Sequence, residues 1–299
     1  MHEIKKLLKQ YGPLTGRELL EKSRIDPLAL WRICSKSEGI IIKSIGKRFL
    51  RLDKRIDGYA RLSPSILREF LTYTVIGLDT DFSNIEIMAK TLERGIEKIS
   101  KDKFELLREI ISKLVKEQKC HGEIEDKATF IIAGDVVYNM AHSELRPEPS
   151  TNEMVKGSDL DLIVVTKDLS GDIIKELDRS IYHEKYYLLK MLAYREEIDY
   201  IIKDICRVEK QANFDSFEFM VASKILSEGK FLFGSMRLFE RVKKILQEKS
   251  IPEKLAELEN TAVIERKNAV SYLLNSKGSL SEEEYKKLFY TTEEKEEIF

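Results

Sequence analysis

The stretch GSDLDLIVV, residues 157–165, decides how the centre of this 299-residue chain is interpreted. Its apolar residues first alternate with acids and then run continuously, which predicts a strand of a buried sheet. Because strand side chains alternate with a period of two, Asp159 and Asp161 project from one face, opposite Leu160 and Leu162. Two such carboxylates repel unless a divalent cation neutralises them, and oxygen ligands suit Mg²⁺. The stretch therefore predicts a metal-binding strand.

The segments on either side extend this pattern. Upstream, ATFIIAG (128–134) predicts a short buried strand that runs into a Gly134-Asp135 turn and a helix over VVYNMAHS. A strand, a glycine turn and a helix N-terminus direct backbone N–H groups at an anion, and Gly157-Ser158 offers a second close backbone approach. Downstream, a helix over 170–192 precedes a strand over REEIDYIIKD. An unpartnered Asp199 in that apolar strand would be costly, so we expect it to join the metal ligands.

The order of these features resembles the nucleotidyltransferase superfamily typified by DNA polymerase β. The shared features are a strand, a Gly turn, a helix, Gly-Ser-Asp-Leu-Asp on a strand, and a later strand with one Asp. The resemblance covers residues 128–234, and GSDLDLIVV carries most of it. The segment ASKILSEGKFLFGS (222–235) is also similar to the helix and turn that close the minimal nucleotidyltransferases. The resemblance implies a central mixed sheet with flanking helices.

A two-metal mechanism is what this resemblance implies. Asp159 and Asp161 would bridge two Mg²⁺ ions, and Asp199 would bind the catalytic ion and take the proton from an attacking hydroxyl. Attack would fall in line on the α-phosphate of a nucleoside triphosphate, ATP by default, with pyrophosphate leaving. The acceptor stays open between RNA, a protein hydroxyl and a small molecule. The residues expected to hold the phosphates are Gly134, Gly157 and Ser158, with Lys224, or Lys230 beyond it, neutralising the pyrophosphate.

Two features depart from the superfamily pattern. Gly-Ser or Gly-Gly usually follows the first strand, whereas this chain has Gly134-Asp135, and a carboxylate beside a triphosphate is unfavourable unless it points away. The segment SELRPEPSTNEMVK (143–156) resembles an inserted loop between the two halves of the site. These departures motivate an alternative function: a DNA-binding transcriptional regulator whose transferase fold is inactive and serves as a ligand sensor or docking surface.

The charge of the chain is unevenly distributed. The 51 Lys+Arg and 52 Asp+Glu give a net charge of −1, which taken whole argues against a strongly basic nucleic-acid binder. Residues 1–56, however, hold 14 Lys+Arg and 6 Asp+Glu, a net charge of +8, which leaves −9 for residues 57–299. A basic head joined to an acidic body is a recognised sign of a nucleic-acid-facing module.

The basic head has a pattern of its own. A helix over 2–10 ends at Gly12-Pro13, Thr15 and Glu18 form a capping box for a second helix, and Asp26 and Pro27 begin a third over 27–36. Two β-like runs, GIIIKS and KRFLRLD, follow. This order resembles the winged helix-turn-helix module, in which the third helix enters the major groove and a hairpin wing touches the backbone. The resemblance implies DNA or RNA contact by Arg32 and Lys36 on the helix and by Lys43, Lys47, Arg48 and Arg51 on the wing.

Other interpretations of the head stay open. Its cations could decorate a protein-docking module, or the segment could serve only to make a homodimer. The chain as a whole is predicted to be α+β and mostly helical. Its predicted parts are a winged helix (1–56), a helical connector (57–118), an α/β nucleotidyltransferase core (119–213) and a C-terminal helical domain (214–299).

The remaining composition restricts the class of protein. Cys34, Cys120 and Cys206 are far apart and imply no disulfide framework or zinc site. The histidines, among them His142, are isolated and form no metal-ligand spacing. The N-terminus lacks a signal-peptide core, and no run approaches the roughly 18 apolar residues of a membrane span. We therefore expect a soluble, cytoplasmic protein with no membrane partner.

Overall fold

The computed structural model describes residues 2–148, 151, 153–276 and 280–289. The chain divides into two compact units, one drawn from Met1–Ile96 and Leu258–Phe299 and the other from Glu97–Glu257. The structure is 60% helical with 18% strand, which confirms the predicted α+β, mostly helical class. The units differ from the predicted segments 1–56, 57–118, 119–213 and 214–299, because the chain leaves the first unit at residue 96 and returns to it at residue 258.

The first unit contains the basic head. Its elements are α1 (His2–Tyr11), β1 (Leu14–Thr15), α2 (Gly16–Ser23), α3 (Pro27–Lys36), β2 (Ile40–Ser44), β3 (Phe49–Leu52), β4 (Ala60–Ser63), α4 (Ile66–Thr72), β5 (Thr74–Leu78), a 3-10 turn (Asp79–Asp81), the start of α5 (Phe82–Lys116), the end of α11 (Ile251–Asn275), α12 (Glu282–Glu284) and a π-helical turn (Tyr285–Phe289).

The predicted helix starts in this unit are confirmed. Thr15 Oγ1 accepts from the backbone N–H of Glu18, and the Glu18 carboxylate accepts from the backbone N–H of Thr15, so the capping box is complete. Asp26 caps α3 by accepting from Ala29 N at 2.9 Å, and Pro27 occupies the first helical position. These local signals set the bounds of α3 at the predicted residues.

The predicted wing hairpin is wrong. β2 pairs antiparallel with β5, which also pairs with β1, whereas β3 pairs with β4 in a separate sheet. Thr74–Leu78, predicted as helix, is thus the central strand of its sheet. Val75 and Ile76 are both buried, although they project from opposite faces of the strand. Because both faces are apolar, the sequence lacks the alternation of apolar and polar residues that indicates a strand.

The second unit contains the predicted transferase core. Its elements are the end of α5, α6 (His121–Lys127), β6 (Ala128–Ile132), a 3-10 turn (Gly134–Tyr138), β7 (Leu145–Pro147), β8 (Met154–Lys156), β9 (Leu160–Thr166), α7 (Gly171–Lys190), β10 (Ile198–Asp204), α8 (Ile205–Gln211), α9 (Phe217–Glu228), β11 (Lys230–Gly234), α10 (Met236–Glu248) and the start of α11.

A mixed sheet organises this unit. Over the described residues its order is β10-β9-β6-β11, with β10 parallel to β9 and the other pairs antiparallel. Leu160, Leu162 and Val164 of β9 pack on one face against α5, α6 and α7. Ile163 and Val165 pack on the other face against α8, α9 and α10. The predicted strands over 128–134, 158–166 and 195–204 and the helix over 170–192 are therefore confirmed within a few residues.

Three local predictions in this unit are wrong. VVYNMAHS forms only the end of a 3-10 turn, because Asn139 adopts a left-handed conformation and stops it. The predicted loop 143–156 contains the antiparallel pair β7 and β8. KFLFG, predicted as part of a helix and turn, is β11 and forms an edge of the mixed sheet. Leu232 and Phe233 pack into the core with α5, α6 and α7, Phe231 contacts Phe239 of α10, and the register shifts between Phe231 and Phe233. Along the described residues, no helix combines the length and apolar character that crossing a bilayer requires.

Candidate functional site

Asp161 and Asp199 are directly paired across neighbouring strands. The register of β9 and β10 places Asp199 opposite Asp161, about 4.8 Å apart in the hydrogen-bonding direction. Paired residues of parallel strands project to the same face, here the face of Ile163 and Val165. The Asp199 side chain is 66% exposed and its Oδ1 lies 3.3 Å from Lys185 Nζ. The two carboxylates thus share an accessible end of the sheet.

Gly134 lies against this pair. It follows β6, has a φ of +71°, and a Cβ added to it would lie 1.9 Å from Asp161 Oδ2. Only glycine fits here, because any side chain would displace the carboxylate and the left-handed conformation disfavours other residues. The glycine turn predicted from sequence therefore touches the acidic strand in the folded unit.

Asp159 is bonded to Arg146, a residue that the sequence analysis does not assign to the site. Arg146 Nη2 on β7 donates to Asp159 Oδ1 and lies 3.0 Å from Glu197 Oε2. Arg146 Nε donates to the carbonyl of Gly157 at 2.9 Å. The guanidinium side chain is only 6% exposed. Arg146 thus ties the strand of Asp159 to the strand that carries Asp199.

The backbone leading to Asp159 is also fixed from α5. Lys103 Nζ donates to the carbonyls of Lys156 and Ser158, both at 2.9 Å, and to the Glu196 carboxylate. Burial raises the pKa of Glu196 above its ordinary value, although the charge of Lys103 acts in the opposite direction. Lys103 therefore fixes the backbone on the N-terminal side of Asp159, whereas Arg146 contacts the Asp159 carboxylate itself.

Gly157 and Ser158, predicted to hold phosphate, contact other groups of the protein. Gly157 N donates to Glu144 O at 2.8 Å, and Ser158 N donates to His142 O at 3.2 Å. A Cβ on Gly157 would lie 1.8 Å from His142 O, so this glycine admits a close approach of the protein's own backbone. Ser158 Oγ donates to Asp135 Oδ2 at 2.7 Å. The backbone N–H groups of Gly157 and Ser158 and the Ser158 hydroxyl are thus hydrogen-bonded within the protein.

Lys224 lies beside the glycine turn in an ionic contact. Its Nζ forms an ion pair with Glu228 one turn later on α9. Glu228 also accepts from Tyr138 Oη at 2.6 Å and from Gly134 N at 3.4 Å. The carboxylate of Glu228 therefore occupies the anion position next to Gly134 that was predicted for phosphate. Lys230, the other predicted cation, is exposed at the start of β11.

The acids differ in how well they suit a metal ion. Among the described residues, no group of three His, Cys, Asp or Glu side chains is arranged to hold one. Asp161 and Asp199 are register partners on one face of the sheet, and Asp199 Oδ1 is paired with Lys185 Nζ. Asp159, the third predicted ligand, has its Oδ1 bonded to Arg146. The structure thus places Asp161 and Asp199 opposite each other, whereas Asp159 is bonded to Arg146.

Several predicted nucleic-acid contacts are occupied within the first unit. Arg32 donates to Leu273 O at 2.7 Å and to Ser276 Oγ at 2.6 Å. Lys43 lies 2.8 Å from Glu86, and Arg48 makes a two-point contact with Glu69 that raises the pKa of its guanidinium. Lys36 and Lys47 are exposed, and Arg51 is half-buried. Because β2 and β3 belong to different sheets, the four predicted wing cations do not share one hairpin.

The prediction from sequence omits residues that shape the site. They are Lys103, Arg146, Glu197 and Glu228. A signal for Glu197 was present, since Glu197-Ile198-Asp199 repeats the spacing of Asp159-Leu160-Asp161 and a period of two puts both acids on one face. Arg146 carries no such local signal, because it reaches its partners through the pairing of β7 with β8.

Comparison with known proteins identifies no relative: no family model, curated protein or solved structure matches the chain.

Proposed function

We propose that this chain is a metal-dependent nucleotidyltransferase that moves a nucleoside monophosphate group to an acceptor hydroxyl and releases pyrophosphate. The pairing of Asp161 with Asp199, with Gly134 packed against Asp161, supports the proposal more than any other observation. ATP is the default donor by resemblance to the DNA polymerase β superfamily. Because the reaction consumes a nucleoside triphosphate, we expect it to take place in the cytoplasm.

The residues have separate parts in this proposal. Asp161 and Asp199 would hold Mg²⁺, which supplies neutralising charge to phosphate oxygens when bound. Asp199, the more exposed acid, accepts the proton of the acceptor hydroxyl. The hydroxyl oxygen bonds to the α-phosphorus, the bond from that phosphorus to the bridging oxygen breaks, and pyrophosphate leaves. Asp159 joins the ligand set, to make the expected two-ion site, only when Arg146 no longer holds it.

The experiment that tests this function is label transfer by the full chain. The protein is incubated with each α-labelled nucleoside triphosphate and Mg²⁺, with total RNA, with its own polypeptide as acceptor, and with small-molecule alcohols. Label transfer is expected to be lost in Asp161→Asn and Asp199→Asn. Asp126→Asn is the matched control, because Asp126 is an exposed acid of the same unit and outside the site. Transfer to none of the acceptors would contradict the proposal.

A DNA-binding regulator with an inactive transferase fold is the second candidate. The contacts of Asp159 with Arg146 and of Glu228 with Lys224 favour it, because both halves of the site are neutralised by the protein's own charges. Asp135, in place of the usual serine or glycine, favours it as well. A protein that binds DNA and transfers no label would be this regulator.

Nucleic-acid contact is assigned to the first unit in either case. Its exposed cations include Lys36 and Lys47. Binding of labelled DNA and RNA by the full chain is expected to weaken steeply as salt rises, because phosphate contacts release counterions. Sedimentation in the same buffers tests the remaining interpretation. A salt-independent homodimer that binds neither nucleic acid would show that the head serves assembly.

A further inference from the structure

Strand β10 leaves one side of the mixed sheet open. Among the described residues it pairs only with β9, at one end of the strand order β10-β9-β6-β11. Leu160 N donates to Glu197 O, so Glu197 and the alternate residues after it direct their backbone groups toward β9. Tyr200 and Ile202 therefore direct theirs away from the sheet, and no other described backbone group bonds to them there. Such a row of N–H and C=O groups is a template for another strand.

This edge is long and uninterrupted. β10 is seven residues long, contains no proline or glycine, and pairs with β9 without a bulge. Protected edges are commonly short or broken by proline or a bulge. Ile201, at the centre of the strand, is 50% exposed, and the Asp199 side chain is 66% exposed. The middle of the strand therefore presents an apolar side chain that a pairing strand would cover.

The sequence of β10, IDYIIKD, is complementary to itself. Asp199 lies two residues before the central Ile201, and Lys203 lies two residues after it. When two copies pair antiparallel about Ile201, Asp199 of each copy lies opposite Lys203 of the other, and opposite charges in such a pair are favourable. Parallel pairing in register would instead set Asp199 against Asp199, which is unfavourable. The charges of this strand thus favour a second copy in one orientation.

The same alignment satisfies the open backbone groups. Antiparallel strands alternate between residue pairs that exchange hydrogen bonds and pairs that do not. Tyr200 of one copy lies opposite Ile202 of the other, and these are the residues whose N–H and C=O groups point outward, so they form the hydrogen-bonded pairs. Ile201 then lies opposite its own copy in a non-bonded pair, where side chains come closest. Backbone direction and side-chain charge therefore agree on one register.

Helix α7 adds exposed aromatic surface beside this edge. Tyr200 Oη donates to Asp178 Oδ1 at 2.9 Å, which joins β10 to α7. Tyr182 and Tyr186 follow Asp178 at successive turns on the same side of the helix and are 60% and 54% exposed. A two-fold axis perpendicular to the sheet keeps both copies of α7 on one face, so these tyrosines would border the joint in both copies.

We propose that this chain forms a homodimer through β10, in which the strands of two copies pair antiparallel about Ile201 and join their sheets into one. The interface is isologous, because each copy contributes the same surface. It lies in the second unit and involves none of the cations of the basic head, so it differs from a dimer made by residues 1–56. The inference does not rest on nucleotidyl transfer, since pairing at the strand edge requires neither a metal ion nor a nucleotide.

Disulfide trapping tests the register. Cys120→Ser and Cys206→Ser first remove the exposed natural thiols from the full chain. Ile201→Cys is then added, oxidised in air with copper–phenanthroline, and analysed by non-reducing electrophoresis. A non-bonded antiparallel pair has its Cα atoms about 4.5 Å apart, a separation that a disulfide spans, so a linked dimer is expected. Met236→Cys is the matched control and should give none, because Met236 is 47% exposed and follows β11 at the opposite edge of the sheet.

Sedimentation equilibrium over a range of protein concentrations measures the dimer without any added cysteine. Ile201→Lys sets two like charges opposite each other at the centre of the joint, and it is expected to raise the dissociation constant at least about tenfold. Met236→Lys should leave that constant unchanged. Since Ile201 is half exposed in one chain, a lysine there is compatible with the folded protomer, which circular dichroism checks.

Three results would overturn the interface at β10. One is an unchanged protein that stays monomeric at every concentration. Another is a dimer that Ile201→Lys does not weaken and Ile201→Cys does not trap, because its contact then lies elsewhere, as in the basic head. The third is equal trapping of Ile201→Cys and Met236→Cys, since random collision would then account for both.

Discussion

The backbone of Gly134 lies directly under the carboxylate of Asp161, so close that a Cβ at Gly134 would be 1.9 Å from Asp161 Oδ2. The two residues belong to antiparallel neighbours, since β6 ends just before Gly134 and pairs with β9. Ala133 N also donates to Asp161 O at 3.0 Å. The glycine turn and the acidic strand therefore form one unit of structure, and a change in either is expected to disturb the other.

Gly134→Ala is expected to abolish label transfer. The new methyl group must displace Asp161, and the φ of +71° adds strain. Loss of at least about 1 kcal/mol of stability is expected from the backbone alone, measured by urea denaturation. Gly122→Ala, where a Cβ meets nothing within 4 Å, is the control and should leave activity unchanged. A Gly134→Ala protein with full activity would show that Asp161 need not keep its position.

Glu228→Gln is expected to increase the affinity for pyrophosphate several-fold. The substitution removes the negative charge that now lies beside Gly134 N and Lys224, while an amide oxygen still accepts from Tyr138. Calorimetric titration with pyrophosphate measures the change. Glu248→Gln, which removes the acid of an exposed pair on α10, serves as control. Unchanged affinity in Glu228→Gln would remove Lys224 from the proposed phosphate site.

Arg32→Ala is expected to destabilise the first unit more than it weakens nucleic-acid binding. Its guanidinium donates to Leu273 O and Ser276 Oγ, 241 and 244 residues away along the chain. Loss of these bonds should lower the free energy of unfolding by about 1–2 kcal/mol. Lys36→Ala, on the exposed end of the same helix, should instead weaken binding with little change in stability. The reverse result would restore Arg32 as a contact to nucleic acid.

Lys243→Met is expected to destabilise the second unit by about 2–3 kcal/mol. Lys243 Nζ donates to the carbonyls of Leu226, Ser227 and Gly229, each at 2.7 Å, and so satisfies the C-terminal end of α9. Urea denaturation measures the loss. Lys244→Met, at an exposed neighbouring position, is expected to stay within about 0.5 kcal/mol of the unchanged protein. Equal stability of the two variants would mean that solvent satisfies these carbonyls.

The stability conferred by Lys203 is expected to depend on pH. Burial, and secondarily the charge of Arg207, lowers the pKa of Lys203 from 10.5 to about 8. Between these values the unfolded chain binds more protons than the folded one, so the folded state gains stability as pH rises. Below pH 8 the charged ammonium costs up to about 3 kcal/mol, which Lys203→Met would not incur.

Urea denaturation at pH 7 to 10 tests whether stability rises with pH as Lys203 loses its proton. The free energy of unfolding of the unchanged protein, relative to Lys203→Met, should rise as pH increases above 8. Lys203 Nζ donates to Gln211 Oε1 at 3.1 Å, and the variant loses this bond at every pH, so only the slope reports the titration. A flat difference for Lys203→Met would show that the folded protein keeps this amine at its ordinary pKa.

Local patterns along the chain predict the starts of two helices and the strands of the candidate site. Short-range contacts suffice for the capping box of Thr15 and Glu18, for the start of α3 at Pro27, and for the strands that carry Asp161 and Asp199. A period of two likewise assigns Asp159 and Asp161 to a common face without any partner strand. Such features depend on neighbours within four residues, and pattern alone therefore predicts them.

Contacts between distant segments follow from the packing of the folded chain. The pairing of β2 with β5 skips β3, β4 and α4, and Arg32 reaches a carbonyl at the end of α11. Arg146 bonds Asp159 and Glu197 because a β-pair inside a predicted loop aims it there. These contacts join distant residues through side chains whose partners are set by packing, so no local pattern encodes them. The sequence pattern predicts the positions of Asp159, Asp161 and Asp199. The contact of Asp159 with Arg146 depends instead on the tertiary fold.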